Sequence, residues 1–556
     1  MYQSRSAACH LAICVFLLGV PSGAPAGVSQ DASLPAPTLR VSTHLVLLDV
    51  VVTDKTGKPM TGLSSDDFTV KESGKPQKIS FFTAPTQTVA PLAPALPPGV
   101  YSNAPAYRTA GGPPTVIVLD AANTQYRDQA FARLQMLKFV SNQYKPGQRI
   151  AIFTLTNKLS LVQDFTDNPD VLRAALEKMR GTETELSKAS APALETPQTA
   201  PPAGLQFASL QVQSAFSALR RFQEVELQYE KDRRTEATLA AMRSLNRVLG
   251  GLPGRKNIIW LTAGFPFSLI PEQDDSHRSE IMMRSLHERI PPNLTENYEY
   301  AEKIREVAAQ MATSQVAIYP VDVRGLAVSP REDPVSNQQT MREIAEETGG
   351  RAFINRNDID DGVALVLRDH SATYTIGYYP QNKNFSRNYR SINIKLSRPG
   401  LETAYRRGYY AIDPASGKDK KPDQELADAW RDQAPDTLVT FEARTDAGEH
   451  GKTRVEFQVD PGSLSTTDDP SGKKFDVGFY AAAFSPEGKA LSSQAVKLDR
   501  AFPPGTYQKI MEQGLRIHFD IDTPPGCNEL QLAVRDNRTG YMGTLRLPTA
   551  GNKRAD

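Results

Sequence analysis

Between Thr115 and about Arg356, short unbroken apolar runs alternate with longer segments of helical spacing. Val116-Ile117-Val118-Leu119, Ile150-Ala151-Ile152-Phe153, Asn257-Ile258-Ile259-Trp260-Leu261 and Val316-Ala317-Ile318-Tyr319-Pro320-Val321 read as strands buried on both faces. Such runs suit a central parallel sheet. Phe131, Leu134, Leu137 and Val140 are spaced as in a helix, as is the stretch 171–179. A long helix is expected from about Phe207 to Leu249, with Leu239, Met242, Leu245, Val248 and Leu249 as its packed stripe. Further helices are expected over 300–312, 341–348 and 362–369, a paired strand over 159–165 and a short strand over 352–354. Repeated strand-then-helix order folds as an α/β, doubly wound parallel sheet.

The flanks are different. Residues 39–84 hold a strand, Val46 to Val52, and a hairpin in which Phe68-Thr69-Val70 and Ile79-Ser80-Phe81 flank Ser73-Gly74. Residues 373–412 form a strand-only meander. Neither piece is long enough to bury a core alone. They are therefore expected to pack together as the two halves of one β-sandwich, with the α/β domain, 115–370, inserted between them. The Pro-rich segment 85–114 and the polar segment 413–436 read as linkers, and 187–204, rich in Ala, Pro and Thr, as a mobile insertion. Residues 437–548 alternate apolar and polar residues between turns, which suits a separate C-terminal immunoglobulin-like β-sandwich.

The N-terminus has the pattern of a secretory signal over 1–26. Arg5 supplies the positive charge, Leu11 to Val20 the apolar run and Ala24-Pro25-Ala26 the small residues before cleavage. The expected destination is the periplasm or the exterior, with no transmembrane segment after cleavage. Of Cys9, Cys14 and Cys527, only Cys527 would remain, leaving no internal disulfide and no cysteine-based metal site. Lys plus Arg number 64 against 63 Asp plus Glu, so no charge excess points to nucleic acid.

Ligands of open α/β sheets bind beyond the carboxyl ends of the strands. There the first buried strand ends in Asp120-Ala121-Ala122-Asn123-Thr124. Together with Asp67-Phe68, Gly74-Lys75-Pro76, Gly254-Arg255-Lys256-Asn257, the run Tyr319 to Gly325 and Arg407-Gly408-Tyr409-Tyr410, this order resembles the von Willebrand factor A (vWA) domain. More narrowly, it resembles the vWA-related proteins described from Acidobacteria. The resemblance covers about residues 39–412. It implies a metal-ion-dependent adhesion site: Asp-x-Ser-x-Ser after the first strand, a loop Thr, and an Asp after a later strand. Asp120 and Thr124 match two of these positions, and Thr182, or else Thr184, is a candidate for the loop Thr. Ala122 and Ala263 stand where a serine and an aspartate are expected. Ligand number and charge set divalent-cation affinity, so the resemblance implies a degenerate site for Mg²⁺, Mn²⁺ or Ca²⁺.

No G-x-S-x-G, H-E-x-x-H, P-loop or dinucleotide fingerprint stands in a suitable context, and the 7 His are scattered. The sequence therefore suggests an exported, non-catalytic module that binds an extracytoplasmic protein partner. Its binding edge would comprise Asp120, Asn123, Thr124, Thr182, Thr262, Asp322 and Arg324, with Asp322 and Arg324 read as an exposed loop ion pair. A metal-dependent adhesin, an exported hydrolase with an unrecognised site and a structural envelope component are the alternatives.

Overall fold

The structure, a computed structural model, describes residues 45–56, 58–85, 96–108, 114–179, 209–267, 292–325, 334–369, 373–412, 422–448 and 452–548. The leader 1–26, the insertion 187–204, and Thr182 and Thr184 lie outside the described residues.

The apolar runs form one five-stranded sheet in the order Val316–Asp322, Lys256–Thr262, Pro114–Asp120, Arg149–Leu155, Leu159–Thr166. The first four strands are parallel, with Val118 level with Trp260 and Asp322 level with Thr262. The fifth is antiparallel, so the sheet is mixed, not wholly parallel as expected. The chain between Leu155 and Leu159 is too short for a crossover and can only reverse direction. Alternate residues of each strand serve opposite faces. Val116, Val118, Trp260 and Ile318 join Leu239, Met242, Leu245, Ile304, Met311 and Met341 in one apolar cluster. Ile117, Leu119, Ile259 and Tyr319 join Met136, Phe139, Leu172, Val363 and Val366 in the other. Helices Leu210–Gly250, Pro292–Thr313 and Pro334–Thr348 thus cover one face, and Tyr126–Asn142, Pro169–Lys178 and Ile359–Asp369 the other. The short strand expected at 352–354 is reduced to a single bridge, Phe353 to Val321.

The segments before and after this body pair with each other. Val46–Asp54 lies between Thr373–Tyr378 and Leu401–Ala404, with Ile79–Thr83 at one edge; Ser386–Leu396 lies between Phe68–Glu72 and Gly408–Ile412. The two sheets share one apolar cluster that includes Leu48, Val50, Phe68, Val70, Tyr374, Ile376, Ile392 and Ile394. The hairpin at Ser73-Gly74 is present, both residues at positive φ, but the returning strand is Lys75–Gln77. Ile79–Thr83 crosses to the other sheet instead. Glu72, buried between the sheets, accepts hydrogen bonds from the Tyr378 and Tyr409 hydroxyls at 2.8 Å each and from Arg390 at 3.2 Å. These sheets are joined to the α/β body through Arg255, which pairs with Asp49 at 3.5 Å and donates to the Tyr319 hydroxyl at 2.8 Å.

Beyond residue 436, two sheets enclose a third core that contains Val455, Phe457, Phe475, Phe479, Leu532 and Val534. Both segments expected to be linkers pack onto these sheets. Val100–Ser102 adds a strand to Phe441–Ala447, and the helix Pro422–Arg431 sets Leu426 and Ala429 against Ala533 and Met542. Three strand residues in a Pro- and Gly-rich segment are too few to show a period, which is why the sequence hides them. The core is docked on the end of the long helix. Gly251 donates to the Thr437 hydroxyl at 3.0 Å, and a Cβ at Gly251 would lie 1.8 Å from the Thr437 carbonyl oxygen. Beside it, the buried Asp436 lies 3.2 Å from Arg247, which also pairs with Asp432 at 2.5 Å.

Burial pushes the Asp436 carboxyl up to about 8; Arg247 opposes the shift, and the neighbouring Asp432 carboxylate adds to it. A carboxyl whose pKa is raised on folding binds its proton more tightly in the folded chain. Its contribution to stability is complete below the ordinary value of 3.8 and is lost as pH rises through about 8. Urea titrations between about pH 5 and 8 should show wild type losing about 1 kcal/mol per pH unit relative to Asp436→Asn. Parallel pH profiles would contradict this assignment.

Candidate functional site

Three adjacent strands end at the carboxyl edge of the central sheet in Asp120, Thr262 and Asp322. Asp120 is 2% exposed. One carboxylate oxygen accepts the Asn123 backbone N–H at 3.0 Å and the Asn123 side-chain amide at 3.2 Å. The other accepts the same amide at 3.0 Å and the Trp260 indole N–H at 3.0 Å. Each partner has a physical reason to be there. A buried carboxylate needs donors, and a buried indole N–H needs an acceptor. The loop 121–124 folds back because only then do the amides of Asn123 reach Asp120. Burial raises the Asp120 pKa, and the bonds from Trp260, Asn123 and Thr262 oppose that shift.

The network extends outward. The Asn123 amide also donates to the Thr238 hydroxyl, at 3.0 Å, on the long helix. Thr124 accepts the Ala263 N–H at 3.1 Å, and Thr262 closes a turn with Gly264, donating to its carbonyl at 2.8 Å and accepting its N–H at 3.2 Å. Asp322 accepts from the Arg324 N–H at 3.0 Å and from its guanidinium at 3.0 and 2.9 Å. Phe265 packs over Trp260 with ring centroids 5.8 Å apart, and Phe267 stacks on Phe265.

Asp120, Asn123, Thr124 and Thr262 thus lie together, and Asp322 with Arg324 forms a separate pair one strand away. Two expectations are corrected. The Asp322–Arg324 pair is buried rather than exposed, with Asp322 at 2% and the Arg324 side chain at 10%. The proposed contact residues Asp120, Asn123, Thr124, Thr262 and Asp322 are also buried, so they shape the edge from beneath. Sequence reasoning missed Trp260 and Thr238. The signal for Trp260 was available: a tryptophan inside a strand buried on both faces must find an acceptor, and the adjacent strand ends in an aspartate.

As placed, the described residues leave Asp120 no open position for a divalent cation. It would have to displace N–H donors from both oxygens of Asp120. Ala122, wholly buried in an apolar cluster, and Ala263 bring no side-chain oxygen. Among the described residues no group of three His, Cys, Asp or Glu is placed to hold a metal. A cavity of about 30 Å³ beside Asp120, lined by Thr124, Gln129, Thr154 and Leu261, has room for a water molecule.

No protein-family model and no curated protein matches the sequence. Solved structures similar to the chain include the vWF domain of the type V pili tip protein Mfa5 from Porphyromonas gingivalis, at 10% identity and TM-score 0.27, covering 47% of this chain and 96% of that one. A von Willebrand factor type A protein from Catenulispora acidiphila matches at 10% identity and TM-score 0.21, covering 79% and 65%. The mussel byssus proximal thread matrix protein 1, with a zinc-occupied MIDAS motif, matches at 11% identity and TM-score 0.21, covering 49% and 48%.

The indole–carboxylate bond has a measurable consequence. Trp260→Phe should lower the unfolding free energy by about 2–3 kcal/mol, the range for losing a hydrogen bond to a buried charged group together with some packing. In a double-mutant cycle with Asp120→Ala, the two losses should fall short of additivity by at least about 1 kcal/mol. Simple additivity would show that the bond contributes nothing.

Proposed function

We propose that this chain is an exported, non-catalytic protein-binding module of the vWA type that works without a bound metal. One observation carries the reading: both carboxylate oxygens of Asp120 are occupied by inward-facing donors, while the residues that follow the same loop are open to solvent. Tyr126 is 56% exposed and the Arg127 side chain 86% exposed. Tyrosine and arginine are, with tryptophan, the residue types enriched among those that dominate protein interfaces. The buried side chains fix the loop, and the exposed ones above it meet the partner.

The vWA type is supported by the parallel strands with one antiparallel edge and by Asp120 and Thr124 on the loop after the central strand. The narrower likeness to acidobacterial proteins rests on motif order alone. The shared core of 46–83 and 373–412 supports one split β-sandwich with the α/β body inserted, and the third core supports a C-terminal sandwich of immunoglobulin-like form. Export is supported by the pattern over 1–26. Among the described residues no helix is long and apolar enough to cross a membrane.

Two measurements test the reading. Titration calorimetry with Mg²⁺, Mn²⁺ and Ca²⁺ should show no saturable binding in the micromolar range. Pull-down from envelope extracts should succeed in EDTA with wild type and fail with Tyr126→Ala combined with Arg127→Glu. Micromolar cation binding abolished by Asp120→Ala, with capture that needs the cation, would instead establish a metal-dependent adhesin.

A further inference from the structure

The long helix Leu210–Gly250 leads two lives. Its second half is core: Leu239, Met242 and Leu245 are wholly buried. Its first half carries a second, largely apolar face, interrupted by the exposed Glu226 and touched by Arg233, whose guanidinium lies 5.8 Å from the Tyr229 ring centre. Val212, Leu219, Phe222, Val225 and Tyr229 are 51%, 53%, 65%, 68% and 61% exposed, and Ala215 is exposed between them. Their spacings of three and four residues place all six on one side of the helix. The side that carries Gln213, Phe216, Arg220 and Leu227 is the more covered one.

We infer that this face pairs with the same face of a second copy of the chain, as two antiparallel helices related by a two-fold axis at Phe222. The first argument is area. The five large side chains together expose about 600 Å², so two copies could bury at most about 1,200 Å², the lower bound of a stable specific interface. A two-fold contact uses one patch twice, so it needs no other protein. The second argument is shape. With the axis at Phe222, Tyr229 of one copy falls opposite Ala215 of the other, Leu219 falls opposite Val225, Phe222 meets Phe222 at the centre, and Val212 at the end of the face falls beside Asp232. The largest side chain away from the axis thus opposes the smallest, and the two middle-sized ones oppose each other. A parallel pair would set Tyr229 on Tyr229 and Ala215 on Ala215, crowding one level and leaving a void at another.

Sedimentation velocity on the purified protein over about 1–100 µM should show a dimer in this concentration range. Phe222→Glu should weaken association about a hundredfold or more, since the residue is central and counted twice. Its circular dichroism should match wild type, and so should its melting temperature at concentrations low enough that wild type is monomeric, because the side chain is exposed in one copy. Cysteine cross-linking in a Cys527→Ser background gives the orientation. Phe222→Cys should form a disulfide-linked dimer. Tyr229→Cys should not cross-link to itself but should cross-link when mixed with Ala215→Cys. A monomer throughout the range, a dimer unaffected by Phe222→Glu, or self-cross-linking of Tyr229→Cys would each overturn the inference. None of these outcomes bears on the metal-free reading of the sheet edge.

Discussion

A charge buried at the end of a sheet must be met by donors, and Asp120 is met by the indole of Trp260 on the adjacent strand. The organisation of the carboxyl edge follows from that bond. It locks two central strands together where their backbone pairing ends. It leaves the remaining lone pairs to Asn123, which turns the loop back and ties it to Thr238 on the long helix. The turn at Thr262 then receives the loop through Thr124 and passes to the next strand, because the Thr262 carbonyl accepts the Val323 N–H at 3.1 Å. A carboxylate satisfied in this way is a structural anchor. A cation would have to compete with N–H groups already aligned on it.

The same physics recurs at both joints of the α/β body. Asp49 meets Arg255 where the flanking sheets attach, and Asp436 meets Arg247 where the C-terminal sheets attach. Buried arginine–aspartate contacts add little net stability over apolar packing, yet losing one partner is costly. They therefore specify how elements meet more than how tightly. Thr238 and Arg247 lie on the same helix, so one rigid element contacts both the site loop and the C-terminal joint. Gly250 and Gly251 end that helix where Leu438 and Thr437 crowd it: a Cβ at either position would come within 2.4 Å of them.

Much of the fold was legible in the sequence. The four parallel strands announce themselves because each is apolar on both faces, and the helices because their stripes recur at helical spacing. Pairing over long separations was legible only as a need for partners: residues 46–54 and 373–378 do pair, but nothing local states their register. Short elements escaped altogether. Val100–Ser102 and Lys75–Gln77 are three residues each and carry no period. At the site, the residue identities were legible and their exposure was not. Asp120 at a strand end is consistent with a solvent-facing ligand or a buried anchor. The choice depends on Trp260, which lies 140 residues away in sequence and reaches Asp120 only through strand order.

The most direct test of this account uses the fact that the chain has 2 tryptophans, Trp260 and Trp430. In a protein labelled with ¹⁵N at tryptophan, the indole region of an NMR spectrum should show two signals, assigned by Trp430→Phe. The Trp260 indole N–H should exchange slowly with solvent and should keep its position and intensity when Mn²⁺ is added at millimolar concentration. Selective broadening of the Trp260 signal by Mn²⁺, absent in Asp120→Ala, would place a cation at the carboxylate and contradict the closed site.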